Sequence, residues 1–277
     1  MTIVLRKTPA SGPVQGVVLD WAGTAVDYGC LGPAAVFVDV FAKFGVEVSL
    51  AEARQFMGLM KKDHIRGMCR LPAVASRWQA TTGRPPEERD VEALYAETEP
   101  MMISAISRHA ELIPGLLPFV DAMRARGVRI GSSTGYTRPM LEVLFPEARR
   151  RGYQPDAVVT PSDVPAGRPY PWMCYLNAIR LQVYPLEAMV KIGDTVSDIH
   201  EGLNAGMWTI GLTRSGNLLG LSAGEAERLA PADLARRLEA AERELKAAGA
   251  HYTAEGIWAA LPIIEDISAR LSAGERP

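Results

Sequence analysis

Two aspartates and a threonine, each closing a short apolar run, are the residues of this sequence best placed to do chemistry together. The run VQGVVLD (residues 14–20) leads into Asp20-Trp21-Ala22-Gly23-Thr24, and VRIGSST (128–134) ends on Thr134. The run MVKIGD (189–194) opens Gly193-Asp194-Thr195-Val196-Ser197-Asp198, which sets two carboxylates four residues apart. An aspartate after a strand is often no more than a helix cap, and a lone GDxxxD is often a cap followed by a solvated helix residue. The three together point to a magnesium-assisted phosphoryl site, because Mg²⁺ prefers one or two carboxylates completed by substrate oxygens and water.

These residues need elements that bring them to one place. With DAVVT (156–160) and WTIGLT (208–213), the apolar runs number five, and helix-like stretches separate them. That alternation predicts βα units and a mostly parallel sheet, a Rossmann-like α/β core. Ligands of such sheets sit beyond the carboxyl ends of the strands, where Asp20, Thr134 and Asp194 would converge.

More than a hundred residues separate the first two runs, far beyond an ordinary crossover. Residues 33–45 read as an amphipathic helix stopped by glycine. Ser49 and Glu52 form a capping box that opens a helical stretch to about Cys69. Residues 82–86 (TGRPP) read as a turn, and 87–109 as helix again. The spacing thus predicts an inserted all-helical cap domain over residues 29–107, between core segments 1–28 and 108–277, with hinges near Gly29 and Ser107. The tail after Ala223, rich in Ala, Glu, Arg and Leu, reads as two surface helices with a turn near Gly249.

Composition narrows the class. Thirty Lys+Arg against thirty-two Asp+Glu give a net charge of −2, which argues against nucleic-acid binding. Hydrophobic residues at 48% and charged ones at 22% exclude wholesale disorder. Three cysteines, Cys30, Cys69 and Cys174, lack CxxC spacing, so neither a disulfide scaffold nor a structural zinc site is expected and a reducing cytoplasm fits. The apolar stretch Ile3-Val4-Leu5 is too short for a signal peptide, and charges cut every other apolar run short of a membrane span, so the chain reads as soluble with no membrane partner.

The order DxxGT, strand-end Thr, Arg, then GDxxxD resembles the haloacid-dehalogenase superfamily, whose first aspartate attacks phosphorus to form an aspartyl-phosphate. The usual superfamily motif is DxDGT, with the second aspartate as general acid–base. Here that position is Ala22. Without a positioned acid an oxygen leaving group loses roughly a hundred- to ten-thousand-fold in rate, which demotes an ordinary phosphomonoesterase. A carbon leaving group activated by an imine would not need the acid, and the insert offers MGLMKKDH (57–64) with Lys61. The blocks DWAGT, MGLMKKDH, GSSTGYTR, GRPYPW and GDTVSDIHEG together closely resemble the phosphonoacetaldehyde hydrolase (phosphonatase) family, in order, over most of the chain.

That resemblance implies cleavage of the C–P bond of phosphonoacetaldehyde to acetaldehyde and phosphate, with Asp20 as nucleophile and Lys61 as the Schiff-base amine. It implies Mg²⁺ on the carboxylates of Asp20 and Asp194 and the backbone carbonyl of Ala22, with Asp198 supporting the metal or its waters. Thr134 and Arg168 would bind the phosphoryl group, while Cys30, Met57, His64 and Tyr136 would surround the imine. A homodimer paired through the helical cap is implied as well. Most helix lysines are merely solvated, Lys62 competes with Lys61, and Arg168 could face solvent. The pKa of Lys61 is expected to fall through burial beside Met57 and Met60 and through the charges of Lys62 or Arg66. His109, His200 and His251 have no ligand spacing and read as structural or surface residues. The alternatives are a related small-molecule phosphatase or phosphotransferase, against which Ala22 and Lys61 count, and a non-catalytic phosphate-sensing protein, against which the intact Asp20, Asp194 and Asp198 count.

Overall fold

Among the described residues, five of the six strands grow from the apolar runs, and burial on both faces explains their near-continuous hydrophobicity. The computed structural model describes residues 12–277, so Ile3-Val4-Leu5 and the first part of the segment 1–28 lie outside the described residues. The strands are β1 (Gly16–Leu19), β2 (Arg129–Ser133), β3 (Ala157–Val159), β4 (Met189–Gly193), β5 (Trp208–Leu212) and β6 (Tyr252–Ala254). All pair in parallel, in the spatial order β3-β2-β1-β4-β5-β6. The order reverses between β1 and β4, and a doubly wound sheet opens its ligand crevice beyond the strand ends at such a reversal. Asp20 follows β1 and Asp194 follows β4, so the fold delivers both carboxylates to that crevice.

Alternation along β1 assigns its two faces. Val17 and Leu19 join the main core with Val190, Ile192, Ile210 and Leu212, while Val18 packs on the other side with Cys174, Ala178 and Met189. Helices cover both faces, as a parallel sheet requires. The core-side helices are α6 (Leu116–Ala125), α7 (Arg138–Arg150), α8 (Trp172–Leu181), α9 (Val196–Asn204), α10 (Ala223–Arg228), α11 (Pro231–Ala247) and α12 (Leu261–Ser272).

Between β1 and β2 the chain forms α1 (Leu31–Lys43), α2 (Leu50–Arg54), α3 (Lys61–Arg70), α4 (Pro72–Thr82) and α5 (Glu88–Ile106), with no strand among them. Val36, Phe37, Val40 and Phe41 occupy one face of α1 and are buried. Each such side chain contributes about 1.5–3 kcal/mol of burial free energy. The Ser49–Glu52 capping box forms as the sequence predicts.

Two expectations need correction. The single helix to Cys69 is broken: α2 ends at Arg54, residues 55–60 form a turn and loop, and a new helix starts at Lys61. Gly58 in that loop has φ +89°, which a helix cannot accommodate, and a Cβ there would lie 2.3 Å from Thr195 Oγ1. The loop exists because it must lie directly on the start of α9. The tail is also more than two surface helices. After the turn at Gly249 it adds β6 to the sheet edge and ends in α12, whose Ile264, Ile267 and Leu271 are core residues. Three half-buried strand residues leave too short a signal to read in the sequence. Among the described residues no helix is long and apolar enough to cross a membrane.

Candidate active site

At the β1 end Asp20 is 5% exposed and its Oδ1 accepts a 2.6 Å hydrogen bond from Arg168 Nη2. The chain then turns at Gly23, φ +81°, where a Cβ would sit 2.3 Å from Asp194 Oδ2. Only glycine lets the β1 loop approach the β4 carboxylate this closely. Asp194 Oδ2 accepts from the Asn217 backbone N–H at 2.7 Å and the Cys30 thiol at 3.2 Å, and its Oδ1 accepts from Thr24 Oγ1 at 3.3 Å. Cys30 takes a left-handed backbone, φ 50°, uncommon for a residue with a Cβ. Burial, then the neighbouring Asp194, pushes its thiol well up, so it serves as a donor rather than a thiolate.

Four charged side chains form a fully buried net beneath these groups. Arg168 pairs with Asp20 at 2.6 Å, Asp198 at 3.0 Å and Glu201 at 2.9 Å, and it donates to the Ser133 carbonyl at 2.9 Å. Lys191, on β4, pairs with Asp198 at 2.7 Å and Glu201 at 3.5 Å. Asp198 also caps α9, its Oδ2 accepting from Thr195 Oγ1 at 2.6 Å. Asp194 and Asp198 share the same burial and part in charge behaviour. Burial, Asp20 and Asp198 push Asp194 well above the ordinary carboxylate range, whereas Arg168 and Lys191 outweigh burial and hold Asp198 below it. Burial lifts Asp20 too, against the pull of Arg168.

Lys61 begins α3 and is 3% exposed. Its Nζ lies 4.6 Å from the centre of the Tyr136 ring and 5.8 Å from that of Phe37, and it makes no ion pair among the described residues. Burial lowers its pKa to about 8, with Asp20 opposing and Arg168 assisting. The expected help from Lys62 and Arg66 is not found: Lys62 pairs outward with Glu92, and Arg66 with Glu88 and Asp63. The positive neighbour is Arg168. A small cavity of about 20 Å³ joins Lys61 to Asp20, Ala22, Met57, Thr134 and Arg168. A larger open groove near β3, lined by both polar and apolar residues, holds none of these groups.

The donor set suits a hard divalent cation. Oxygens of Asp20, Asp194 and Asp198 lie within 4.8 Å of one another. Four buried carboxylates (Asp20, Asp194, Asp198, Glu201) face two buried cations (Arg168, Lys191), and 2 − 4 leaves −2 before any charge on Lys61. Among the described residues Asp194 has neutral donors only, and a buried carboxylate without a cation is the group a metal would satisfy.

The structure brings Asp20, Ala22, Cys30, Met57, Lys61, Thr134, Tyr136 and Arg168 to one cavity, and Asp194 and Asp198 directly beside it. His64 does not line it. Its ring stacks on Phe37 at 3.8 Å, and its Nε2–H donates to the Ala53 carbonyl at 2.7 Å. Arg168 is buried, not solvent-facing. His200 is exposed, His251 Nδ1 lies 2.9 Å from Thr209 Oγ1, and His109 pairs with Asp27 at 3.3 Å. Sequence reasoning missed Lys191 and Glu201. The signal was present: a lysine inside an otherwise apolar strand, and a glutamate one turn after Asp198.

A profile of haloacid dehalogenase-like hydrolases matches residues 14–206. A phosphonoacetaldehyde hydrolase of Nitratidesulfovibrio vulgaris is 57% identical over 273 residues, 99% of this chain and 98% of the relative. One from Bacillus cereus is 48% identical over 242 residues, 87% of this chain and 92% of its own. The crystal structure of a phosphonoacetaldehyde hydrolase-like protein from Oleispira antarctica superposes with a TM-score of 0.96 at 36% identity, covering 100% of both chains.

Proposed function

Because the chain belongs to the phosphonoacetaldehyde hydrolase family of the haloacid dehalogenase-like hydrolases, we propose that it hydrolyses the C–P bond of phosphonoacetaldehyde through a Lys61 imine and an Asp20 phosphoryl intermediate. The observation that carries this reading is a buried amine, with no ion pair among the described residues and a pKa lowered by burial to about 8, sharing a cavity with a buried aspartate and a buried arginine.

The steps follow from what each side chain can do. The neutral Lys61 amine adds to the aldehyde carbon, and loss of water leaves a protonated imine. Asp20 Oδ attacks phosphorus as the C–P bond breaks, and the bonding pair moves into the imine to give an enamine. The electron sink replaces the acid that Ala22 cannot supply. Protonation of the enamine carbon and hydrolysis of the imine release acetaldehyde, and water cleaves the aspartyl-phosphate to phosphate. Arg168 and Thr134 hold the phosphoryl oxygens, while Cys30, Met57 and Tyr136 enclose the two-carbon end and exclude water. His64 supports this wall from behind Phe37. Mg²⁺ bound by the carboxylates of Asp20 and Asp194 and the carbonyl of Ala22 would supply charge neutralisation at the phosphoryl group, and Asp198 would orient those ligands and Arg168.

Residues 29–107 then act as a cap that closes on the core segments 1–28 and 108–277, hinged near Gly29 and Ser107. The same family resemblance supports a homodimer paired through the cap. Three buried free cysteines accord with a reducing cytoplasm. Incubation with phosphonoacetaldehyde and Mg²⁺ should release acetaldehyde and phosphate one to one. Asp20→Asn should remain folded and release neither, since an amide cannot form the acyl phosphate. Turnover by that variant at the wild-type rate would refute the nucleophile.

A further inference from the structure

Besides the Cys30 thiol, which reaches Asp194 directly, Arg54, the last residue of α2, ties the helical insert to the loop that seats Asp194. Its Nη1 donates to the Gly29 carbonyl at 2.8 Å and to Asn217 Oδ1 at 3.0 Å, and its Nη2 donates to the Gly220 carbonyl at 3.1 Å. Asn217 answers, its Nδ2 donating to the Arg54 carbonyl at 3.1 Å. The backbone N–H of the same Asn217 donates to Asp194 Oδ2 at 2.7 Å. Beside this contact Gly29 N–H donates to the Ser215 carbonyl, and Ser215 Oγ to the Gly23 carbonyl, both at 2.8 Å. One guanidinium therefore spans the expected hinge and the 215–220 loop, one hydrogen bond away from the buried carboxylate that has no cation partner.

We infer that Arg54 is a positioning residue that couples docking of the 55–60 loop to the cation affinity of Asp194, through Asn217. The inference rests on the reading of Asp194 as a metal ligand. When the insert docks, Arg54 fixes Asn217, and Asn217 fixes the orientation of Asp194. When the insert lifts, the 215–220 loop loses its hydrogen bonds from the Arg54 side chain and Asp194 loses a fixed donor. Coupling between two sites is reciprocal in binding free energy, so a cation on the carboxylates must in turn favour docking. A second contact, Ser197 Oγ donating to the Met57 carbonyl at 3.4 Å, links the same loop to α9 without touching Asp194, and it serves as a control.

The test uses Mn²⁺ alone as the probe, read by electron paramagnetic resonance on the full chain without substrate. Arg54→Ala should weaken Mn²⁺ binding about tenfold, the low end of the effect of loosening the groups that support a metal ligand, since Arg54 acts through Asn217. Asn217→Ala should weaken it similarly, and the double variant should be no worse than either single one. Ser197→Ala should leave the affinity as in wild type. Hydrogen exchange supplies a reading that a merely structural role would not move: Mn²⁺ should slow exchange at residues 55–60 in wild type and have no effect there in Arg54→Ala. Should Arg54→Ala not fold, Arg54→Lys, which keeps the charge but cannot span three acceptors, carries the same comparison. A folded variant with wild-type Mn²⁺ affinity, or additive effects in the double variant, overturns the coupling. Absence of Mn²⁺ binding by wild type overturns the metal reading, and the inference with it.

Discussion

Lys191 and Lys61 are both buried, at 0% and 3% exposure, one inside β4 and the other at the start of α3, yet their charges are governed in opposite directions. Burial and Arg168 push Lys191 toward neutrality, and Asp198 and Glu201 overcome them to hold its pKa above the ordinary value. Lys61 meets the same burial with two aromatic rings in place of two carboxylates, and its pKa falls to about 8. Burial alone does not decide the state of a lysine; the partners do. The fold has made one lysine a fixed counter-ion and the other a usable amine.

The comparison breaks most visibly in activity. Lys61→Met should cost turnover about four orders of magnitude or more, as loss of a nucleophile does. At pH 7 the same substitution should raise folding stability by up to about 3 kcal/mol, because it removes an amine whose burial disfavours its charge. Denaturant unfolding and a phosphate-release assay check both, and a variant that is less stable or still active contradicts the account. Lys191→Met should do the reverse to stability, costing about 3–5 kcal/mol by leaving Asp198 and Glu201 short of a cation. A change within about half a kcal/mol would show that the net does not depend on Lys191.

The smallest effect is a pH dependence, and its sign is fixed by the depressed pKa of Lys61. Only the neutral amine adds to an aldehyde, so imine formation should rise about tenfold per pH unit up to about 8 and level off above it. Between pH 8 and about 10.4 the unfolded chain binds a proton at this lysine that the folded one does not, so stability contributed by Lys61 increases with pH. The stability advantage of Lys61→Met should therefore shrink over that window. An advantage constant from pH 7 to 10 would contradict the depressed pKa.

What the sequence disclosed, and what it withheld, follows the same division. Asp20, Thr134 and Asp194 were legible because each ends a short apolar run, and a parallel sheet places such ends together. Lys61 was legible through the MGLMKKDH block. Its choice over Lys62 has a physical basis in the structure, where Lys61 faces the cavity and Lys62 reaches Glu92. Lys191 and Glu201 went unread although a lysine inside an apolar strand and a glutamate one turn after Asp198 are visible signals, because only the tertiary pairing of β4 with α9 and Arg168 gives those charges a role. The break between α2 and α3 was hidden too. It depends on Gly58 meeting Thr195 more than a hundred residues later, a tertiary contact that helix periodicity cannot express.

The central claim is that Lys61, not Lys62 or Lys191, is the amine that carries substrate. Borohydride reduction in the presence of acetaldehyde, followed by peptide mass spectrometry, tests it directly. The account predicts one ethyl adduct, on Lys61, with loss of turnover in proportion to labelling and no labelling in Lys61→Arg. An adduct on Lys62, or full turnover with no adduct on any lysine, would contradict it.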